Sequence, residues 1–290
     1  MDWGVDALRQ QLEPLLPGVS IEVLPEVGST NTLLVERART DRAPCLLVAE
    51  AQTAGRGRLG RAWVSAPGAS LTFSIALPLA PRSWSGLSLA VGLAVADALE
   101  PAPASPPKVG LKWPNDLWLD GRKLGGILIE TVVRGNERIV VAGIGLNLRR
   151  QAIEGTASLD EIDASAAAPV VLASIALPLV RALLDFQAHG FEAVAAAYAK
   201  RDVLRGHAVR TTAAGSVAGL TGVAEGVDSD GALCVRSSGG GGAGAGAGST
   251  TALHRVVSGE VSVRLASTST QTSASAQSPA PAPASGAAAC

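Results

Sequence analysis

The run from Lys108 to Leu148, "KVGLKWPNDLWLDGRKLGGILIETVVRGNERIVVAGIGLNL", constrains the fold more than any other part of the chain. Its apolar residues come in runs of strand length, separated by Asp120-Gly121 and Gly135-Asn136, dipeptides that favour tight hairpin turns. The expected order is strand, turn, strand, turn, strand. "CLLVAEAQ" (45–52) and "LTFSIALPL" (71–79) are short apolar runs typical of strands buried on at least one face. Val19, Ile21 and Val23 alternate as in a further strand, after a short helix from Asp6 to Glu13 that Pro14 and Pro17-Gly18 stop.

Helical periodicity interrupts the strands. "STNTLLVERART" (29–40) reads as a helix with Ser29 or Thr30 at its N-cap and Leu33, Leu34, Arg37 and Ala38 at helical spacing. "GLSLAVGLAVADALE" (86–100) is an apolar-faced helix ended by "PAPASPP". Leu172, Ile175, Leu179, Leu183 and Phe186, then Phe191, Val194 and Tyr198, describe two helices hinged near Gly190, with a kink expected at Pro178. Interleaved sheet and helix make an α+β fold with a mixed sheet. From Gly206 the texture changes to short alternating runs, "HAVRTT", "SVAGL", "ALCVRS" and "HRVVSGEVSVRL", as in a small β-barrel. The expected organisation is a large domain over 1–205, a small one over 206–265 and a low-complexity tail over 266–290. Gly239–Ser249 and the tail lack the apolar side chains that would offset ordering, so both are expected to be disordered.

With 290 residues, 47% of them hydrophobic, the chain is long enough for such a core. Its formal charge of -1 provides no global field to draw nucleic acid or anionic membrane, so any polyanion chemistry must be local. Cys45, Cys234 and Cys290 show no disulfide or zinc-ligand spacing, and a reducing, cytoplasmic setting is expected. The acidic N-terminus lacks the pattern of an export signal. The apolar stretches 62–81 and 164–180 are broken by prolines, which makes them poor membrane spans.

Within "AEAQTAGRGRLGRAWVSAPGASL" (49–71), Arg56, Arg58 and Arg61 lie among glycines directly after a strand. Guanidinium groups give bidentate donors to phosphate or carboxylate, and glycine lets backbone N–H groups come close, so the loop suits an anion and is expected to be disordered without one. An exposed basic loop, or one touching RNA nonspecifically, fits these residues as well. It is neither a Walker loop nor a dinucleotide fingerprint. "LKWPNDLW" gathers Lys112, Trp113, Asn115, Asp116 and Trp118, with Lys123 seven residues after Asp116 and followed by Gly125-Gly126. Asp116 is a natural Mg²⁺ ligand. A turn with buried tryptophans and a solvated hairpin lysine is the alternative. His189, His207 and His254 lie in no motif, so no catalytic histidine is assigned.

In this order and spacing, "GSTNT", "QTAGRGRLGRAW", "KWPNDLWLDGRKLGGILIE" and "AGIGLNL" closely resemble the biotin protein ligases over Val23–Leu148, whose catalytic fold is akin to the class II synthetases. Gly206–Leu265 resembles that family's SH3-like C-terminal domain. Too little chain precedes the first strand for the family's DNA-binding domain, so the monofunctional kind, with no DNA or membrane partner, is expected. The resemblance implies ATP, biotin and Mg²⁺, with biotin activated to biotinyl-5′-AMP and passed to a lysine of a biotin carboxyl carrier protein, the acetyl-CoA carboxylase subunit, or of other biotin-dependent carboxylases. A homodimer stays open. It also puts Ser29, Thr30, Asn31 and Gln52 at the biotin pocket, and Gly55, Arg56, Gly57 and Arg58 on a loop closing over biotin carboxylate and phosphate. Lys123, with Gly125 beside it, would bridge carboxylate and α-phosphate. Arg61 and Trp63 fall at the outer phosphates and adenine, and Asn115, Asp116 and Asn147 at ribose, phosphate and metal. Asp116 is open between metal ligand and base. Arg56, Arg58 and Lys123 would be the catalytic cations. A lipoate ligase or octanoyl transferase is the rival among enzymes, and a nucleic-acid-binding module the rival of another class.

Overall fold

The computed structural model describes residues 1–101, 105–213, 219–237, 251–257 and 261–265. The two segments expected to be disordered, 239–249 and 266–290, lie outside these. The order is α1 (Val5–Leu12), β1 (Ser20–Val27), α2 (Thr30–Arg37), β2 (Cys45–Gln52), β3 (Ser70–Pro78), α3 (Leu87–Leu99), β4 (Val109–Lys112), β5 (Asp116–Leu119), β6 (Arg122–Arg134), β7 (Glu137–Asn147), α4 (Ala168–His189), α5 (Glu192–Ala199), and β8 to β12 at Ala208–Ala213, Thr221–Val227, Leu233–Ser237, Ala252–Val256 and Val261–Leu265.

Strands β1 to β7 form one mixed sheet in the order β1-β2-β3-β7-β6-β5-β4. Only β1 and β2 run parallel, because α2 makes the crossover between them, and every other neighbour is antiparallel. Both hairpin signals act as read. Asp120 and Gly121 take φ of 47° and 74°, the left-handed pair that a two-residue turn of matching twist needs. The run 108–148 holds four strands rather than three, since Pro114 cannot donate to a ladder and the chain reverses between Lys112 and Asp116.

The period-2 alternation of strands sorts the two faces of this sheet. Leu71, Phe73, Ile75 and Leu77 of β3 and Val140, Ala142, Ile144 and Leu146 of β7 are buried in the main core with α3 and α4. Ala76 of β3 and Ile139 and Val141 of β7 pack instead on Leu34 of α2. Farther along the α2 face the same alternation brings Ser74, Gly143 and Gly145, and there the apolar packing gives way to a cleft. Helix α4 is long and apolar enough to cross a membrane by length and composition. Here, however, Leu172, Ile175, Leu179, Leu183 and Phe186 are buried in the core, and Pro178 lies inside the helix without ending it.

The second sheet is antiparallel throughout, in the order β11-β10-β9-β8-β12. Among the described residues β11 and β12 do not pair with each other, so closure into the expected barrel is not part of the observed pairing. Strand β9 was not legible in the sequence, because two of its seven residues are glycine and only Ala224 and Gly226 are buried. "SVAGL", read as a strand, contributes none among its described residues. The turn between β9 and β10 packs against residues flanking the first sheet: Trp113 Nε1 donates to Gly231 O at 3.0 Å and Ser85 Oγ to Asp230 O at 2.6 Å.

Candidate active site

The cleft opens beside the N-terminus of α2 and encloses about 910 Å³ with its mouth, within the range of small-ligand sites. Ser29 caps the helix, its Oγ accepting from Thr32 N at 3.4 Å, which answers the choice of N-cap left open by the sequence. Thr30 and Asn31 are buried and held by hydrogen bonds. Gln52 Oε1, from the end of β2, accepts from Thr30 N at 2.8 Å and lies 3.2 Å from Thr30 Oγ1. Ser74 Oγ donates to Asn31 Oδ1 at 2.6 Å and sits 2.7 Å from Thr30 Oγ1. Asn31 Nδ2 donates to Leu128 O at 3.2 Å and Glu130 Oε2 at 2.9 Å. This is a pre-positioned set of neutral donors and acceptors, held so that little must be reordered when a ligand arrives.

The arginine loop is not disordered in this structure. Gly57 N donates to Arg61 O at 2.7 Å, Trp63 N to Gly55 O at 2.9 Å, and Arg56 bridges Ala62, so the loop is a small hairpin with Leu59 and Gly60 at positive φ. Its side chains are partnered too. Arg56 lies 3.3 Å from Glu130 Oε1 and donates to Thr32 Oγ1 at 3.3 Å, while Arg58 Nη1 donates to Asn115 Oδ1 at 3.3 Å. The Trp63 ring packs on bare backbone of β7: a Cβ added at Gly145 would come within 2.5 Å of it, and one added at Gly143 would collide with Asn31 Oδ1. The two glycines of "AGIGLNL" therefore leave the cleft its room.

Across the cleft, Lys123 Nζ of β6 pairs with Asp116 Oδ1 of β5 at 2.8 Å and stands 5.8 Å from the centre of the Trp63 ring. Asn115 Nδ2 donates to Ile127 O at 2.8 Å, fixing the turn that carries Asp116. Burial lowers the pKa of the Arg58 guanidinium, Asp116 opposing and Arg61 adding to that shift. Burial likewise lowers the Lys112 ammonium below the ordinary lysine range. Arg56, Arg58, Arg61, Lys112 and Lys123 all line the cleft, and among the described lining residues Asp116 is the sole carboxylate. Such an excess of positive charge in a partly dry space favours an anion strongly.

Ser29, Thr30, Asn31, Gln52, Arg56, Gly57, Arg58, Arg61, Trp63, Asn115, Asp116 and Lys123 are thus brought to one cleft. Asn147, Gly55 and Gly125 do not line it. Asn147 Nδ2 donates to the carbonyls of Lys123 and Ala157 at 3.2 and 3.0 Å, and ties the end of β7 to its neighbours. Gly55 lies under Trp63, and Gly125 packs on Leu146. Sequence reasoning missed Ser74, Glu130 and the place of Lys112. A lone serine inside the apolar "LTFSIALPL" was the available signal for Ser74. Among the described residues no cluster of three His, Cys, Asp or Glu could cage a metal. The donor set fits Mg²⁺ carried on nucleotide phosphates with Asp116 as one protein ligand, the usual manner for this ion.

Residues 23–147 match the biotin/lipoate A/B protein ligase family and residues 206–264 the biotin protein ligase C-terminal domain. The chain is 36% identical over 228 residues to biotin--[acetyl-CoA-carboxylase] ligase of Mycobacterium tuberculosis, covering 76% of this chain and 84% of that protein. It is 32% identical over 264 residues to the bifunctional ligase/repressor BirA of Escherichia coli, covering 82% and 81%. Biotin protein ligase from Aquifex aeolicus, solved in complex with biotin and ATP, superposes with a TM-score of 0.68 at 29% identity, over 85% of this chain and 99% of that one. With two matched segments in family order and relatives aligned over most of their length, this chain belongs to the biotin protein ligase family.

Proposed function

We infer that this chain is a biotin protein ligase, which uses ATP and biotin as substrates and joins biotin to a lysine of a carrier protein. In the first step a biotin carboxylate oxygen attacks the α-phosphorus of ATP. The bond from that phosphorus to the bridging oxygen breaks, and pyrophosphate leaves with the electron pair. In the second, the neutral amine of the acceptor lysine attacks the biotinyl carbonyl, and AMP leaves as the acyl–phosphate bond breaks.

The observation that carries this reading is one cleft in which a neutral hydrogen-bonding pocket adjoins a cluster of cations. Thr30, Asn31 and Gln52, the first two held by Ser74 behind them, suit an uncharged cyclic urea, which needs matched donors and acceptors. Arg56, Arg58 and Lys123 suit the meeting of two anions. At about 4 Å two unit charges repel by about 1 kcal/mol in bulk water and by about 4 kcal/mol near a protein surface, so fixed cations lower that barrier. No protein nucleophile is required; positioning and charge supply the catalysis. Trp63 provides a flat face for adenine, and Arg61 serves the phosphates. When bound with ATP, Mg²⁺ supplies further neutralisation of the phosphates, and Asp116 is the residue to hold it. In the second step Asp116 or solvent takes the proton that the acceptor lysine must lose. Asn147 acts through backbone positions rather than on the ligand.

We further propose a division into a catalytic domain over 1–205 and a docking domain over 206–265, with the acetyl-CoA carboxylase carrier subunit as acceptor. The names of the relatives from Mycobacterium tuberculosis and Paracoccus denitrificans support that choice of acceptor. The unpaired Cys45 and Cys234 suit a cytoplasmic setting. Purified full-length protein should show biotin-dependent exchange of pyrophosphate into ATP and, with a carrier domain, a mass increase of one biotinyl group. Exchange with lipoate and none with biotin would refute the assignment.

A further inference from the structure

Lys112 lines the cleft but stands outside the roles given to Arg56, Arg58, Arg61 and Lys123. It ends the edge strand β4, opposite Asp116 on β5, and shares with Asp116 the sheet face that looks away from the core residues Leu111 and Leu117. Its ammonium stands 4.7 Å above the Trp118 ring, which fixes the side chain by a cation–π contact. Among the described residues it has no carboxylate within ion-pair distance, although Lys123 is paired with Asp116 and Arg56 with Glu130. A half-buried ammonium whose facing carboxylate, Asp116, is already paired with Lys123 is costly to keep charged, and an arriving anion relieves that cost.

The strand order says which anion. Read from β2 to β4, the cleft presents Gln52 on β2, Phe73 on β3, Gly143 and Gly145 on β7, Lys123 on β6, Asp116 on β5 and Lys112 on β4. Lys112 therefore lies two strands beyond Lys123, on the side away from the neutral pocket, with Asp116 on the strand between them paired to Lys123. Attacking and leaving oxygens in phosphoryl chemistry are roughly in line. With the carboxylate entering from the β3 side, the departing group moves toward β5 and β4.

We propose that Lys112 binds the two outer phosphates of ATP and stabilises the pyrophosphate as its bond to the α-phosphorus breaks. This rests on the ligase reading and adds to it a role confined to the first half-reaction. Val263 of β12 also lines the cleft, so the second sheet contributes to its wall.

The test uses full-length protein with Lys112→Met, which keeps the stem over Trp118, and Lys112→Arg, which keeps the charge. Two readouts separate the half-reactions: biotin-dependent pyrophosphate–ATP exchange, and transfer from synthetic biotinyl-5′-AMP to a carrier domain. Lys112→Met should lower kcat/KM for ATP in exchange by about tenfold to a hundredfold, the scale of a lost charge-assisted contact. Transfer from the preformed adenylate should stay at the wild-type rate, and Lys112→Arg should recover most of the exchange. Unchanged exchange in Lys112→Met overturns the proposal, as does an equal fall in exchange and transfer, or failure of Arg to rescue. Should Lys112→Met not fold, inhibition of wild-type and Lys112→Arg protein by inorganic pyrophosphate decides. Micromolar inhibition competitive with ATP in both supports the role, and none in either overturns it. Wild-type protein that makes no biotinyl-5′-AMP would instead refute the ligase reading itself.

Discussion

Replacing Lys123 by alanine separates a catalytic lysine from a structural one, and the structure sets the sizes of both effects. Its ammonium is paired with Asp116 at 2.8 Å, with the two side chains 36% and 20% exposed. A pair this open to water contributes about 0–1 kcal/mol to folding. In the mechanism proposed above, the same ammonium faces the biotin carboxylate and the charge growing on the phosphate in the adenylation transition state. Removing one pre-positioned donor from such a site costs about 2.7–4 kcal/mol, or roughly a hundredfold to a thousandfold in rate. Lys123→Ala should therefore reduce biotin-dependent pyrophosphate exchange by about that factor and shift the urea-unfolding free energy by no more than about 1 kcal/mol. Lys123→Arg, which keeps a charge in another shape, should fall between. Exchange within about threefold of wild type, a difference of about 0.7 kcal/mol, would refute the idea that this lysine offsets the repulsion of two anions. A stability loss as large as the activity loss would show it to be a strut of the β5–β6 pair.

Further expectations follow from particular contacts. Arg58→Ala removes the bond to Asn115 and should speed release of biotinyl-5′-AMP; unchanged release would argue against a closing loop. Ser74→Ala leaves Asn31 Oδ1 short of a donor and should raise KM for biotin while leaving KM for ATP alone, with about 1–3 kcal/mol lost in stability. Gly145→Ala should displace Trp63 from its seat and raise KM for ATP, which a fluorescence shift on nucleotide binding would report. Burial raises the Asp202 carboxyl above its ordinary range. Its ionisation therefore costs stability as pH rises through that raised value, and Asp202→Asn should be relatively more stable than wild type at pH 7 than at pH 4 in urea titrations.

Periodicity and turn chemistry are local, and the elements they encode were legible. The helix at Thr30–Arg37, the strand at Cys45–Gln52 and the Asp120-Gly121 turn need no knowledge of the rest of the fold. The cluster of cations was also visible, because the arginine loop and "KWPNDLWLDGRK" are contiguous runs. What the sequence could not determine by itself was adjacency. Strand β3 pairs with β7, across three intervening strands and a helix, and that pairing sets Gly143 opposite Ser74 and brings Gly145 under Trp63, while the packing of α2 on the same face brings Asn31 to Ser74. The same holds for Glu130, 99 residues from Asn31 yet bonded to it at 2.9 Å, and for Asn147, whose amide turns to backbone carbonyls and not to the cleft. Side-chain direction there depends on register and burial over the whole sheet. A one-residue slip would send each of these groups to the other face, so the motifs named the participants while long-range strand pairing decided which of them meet.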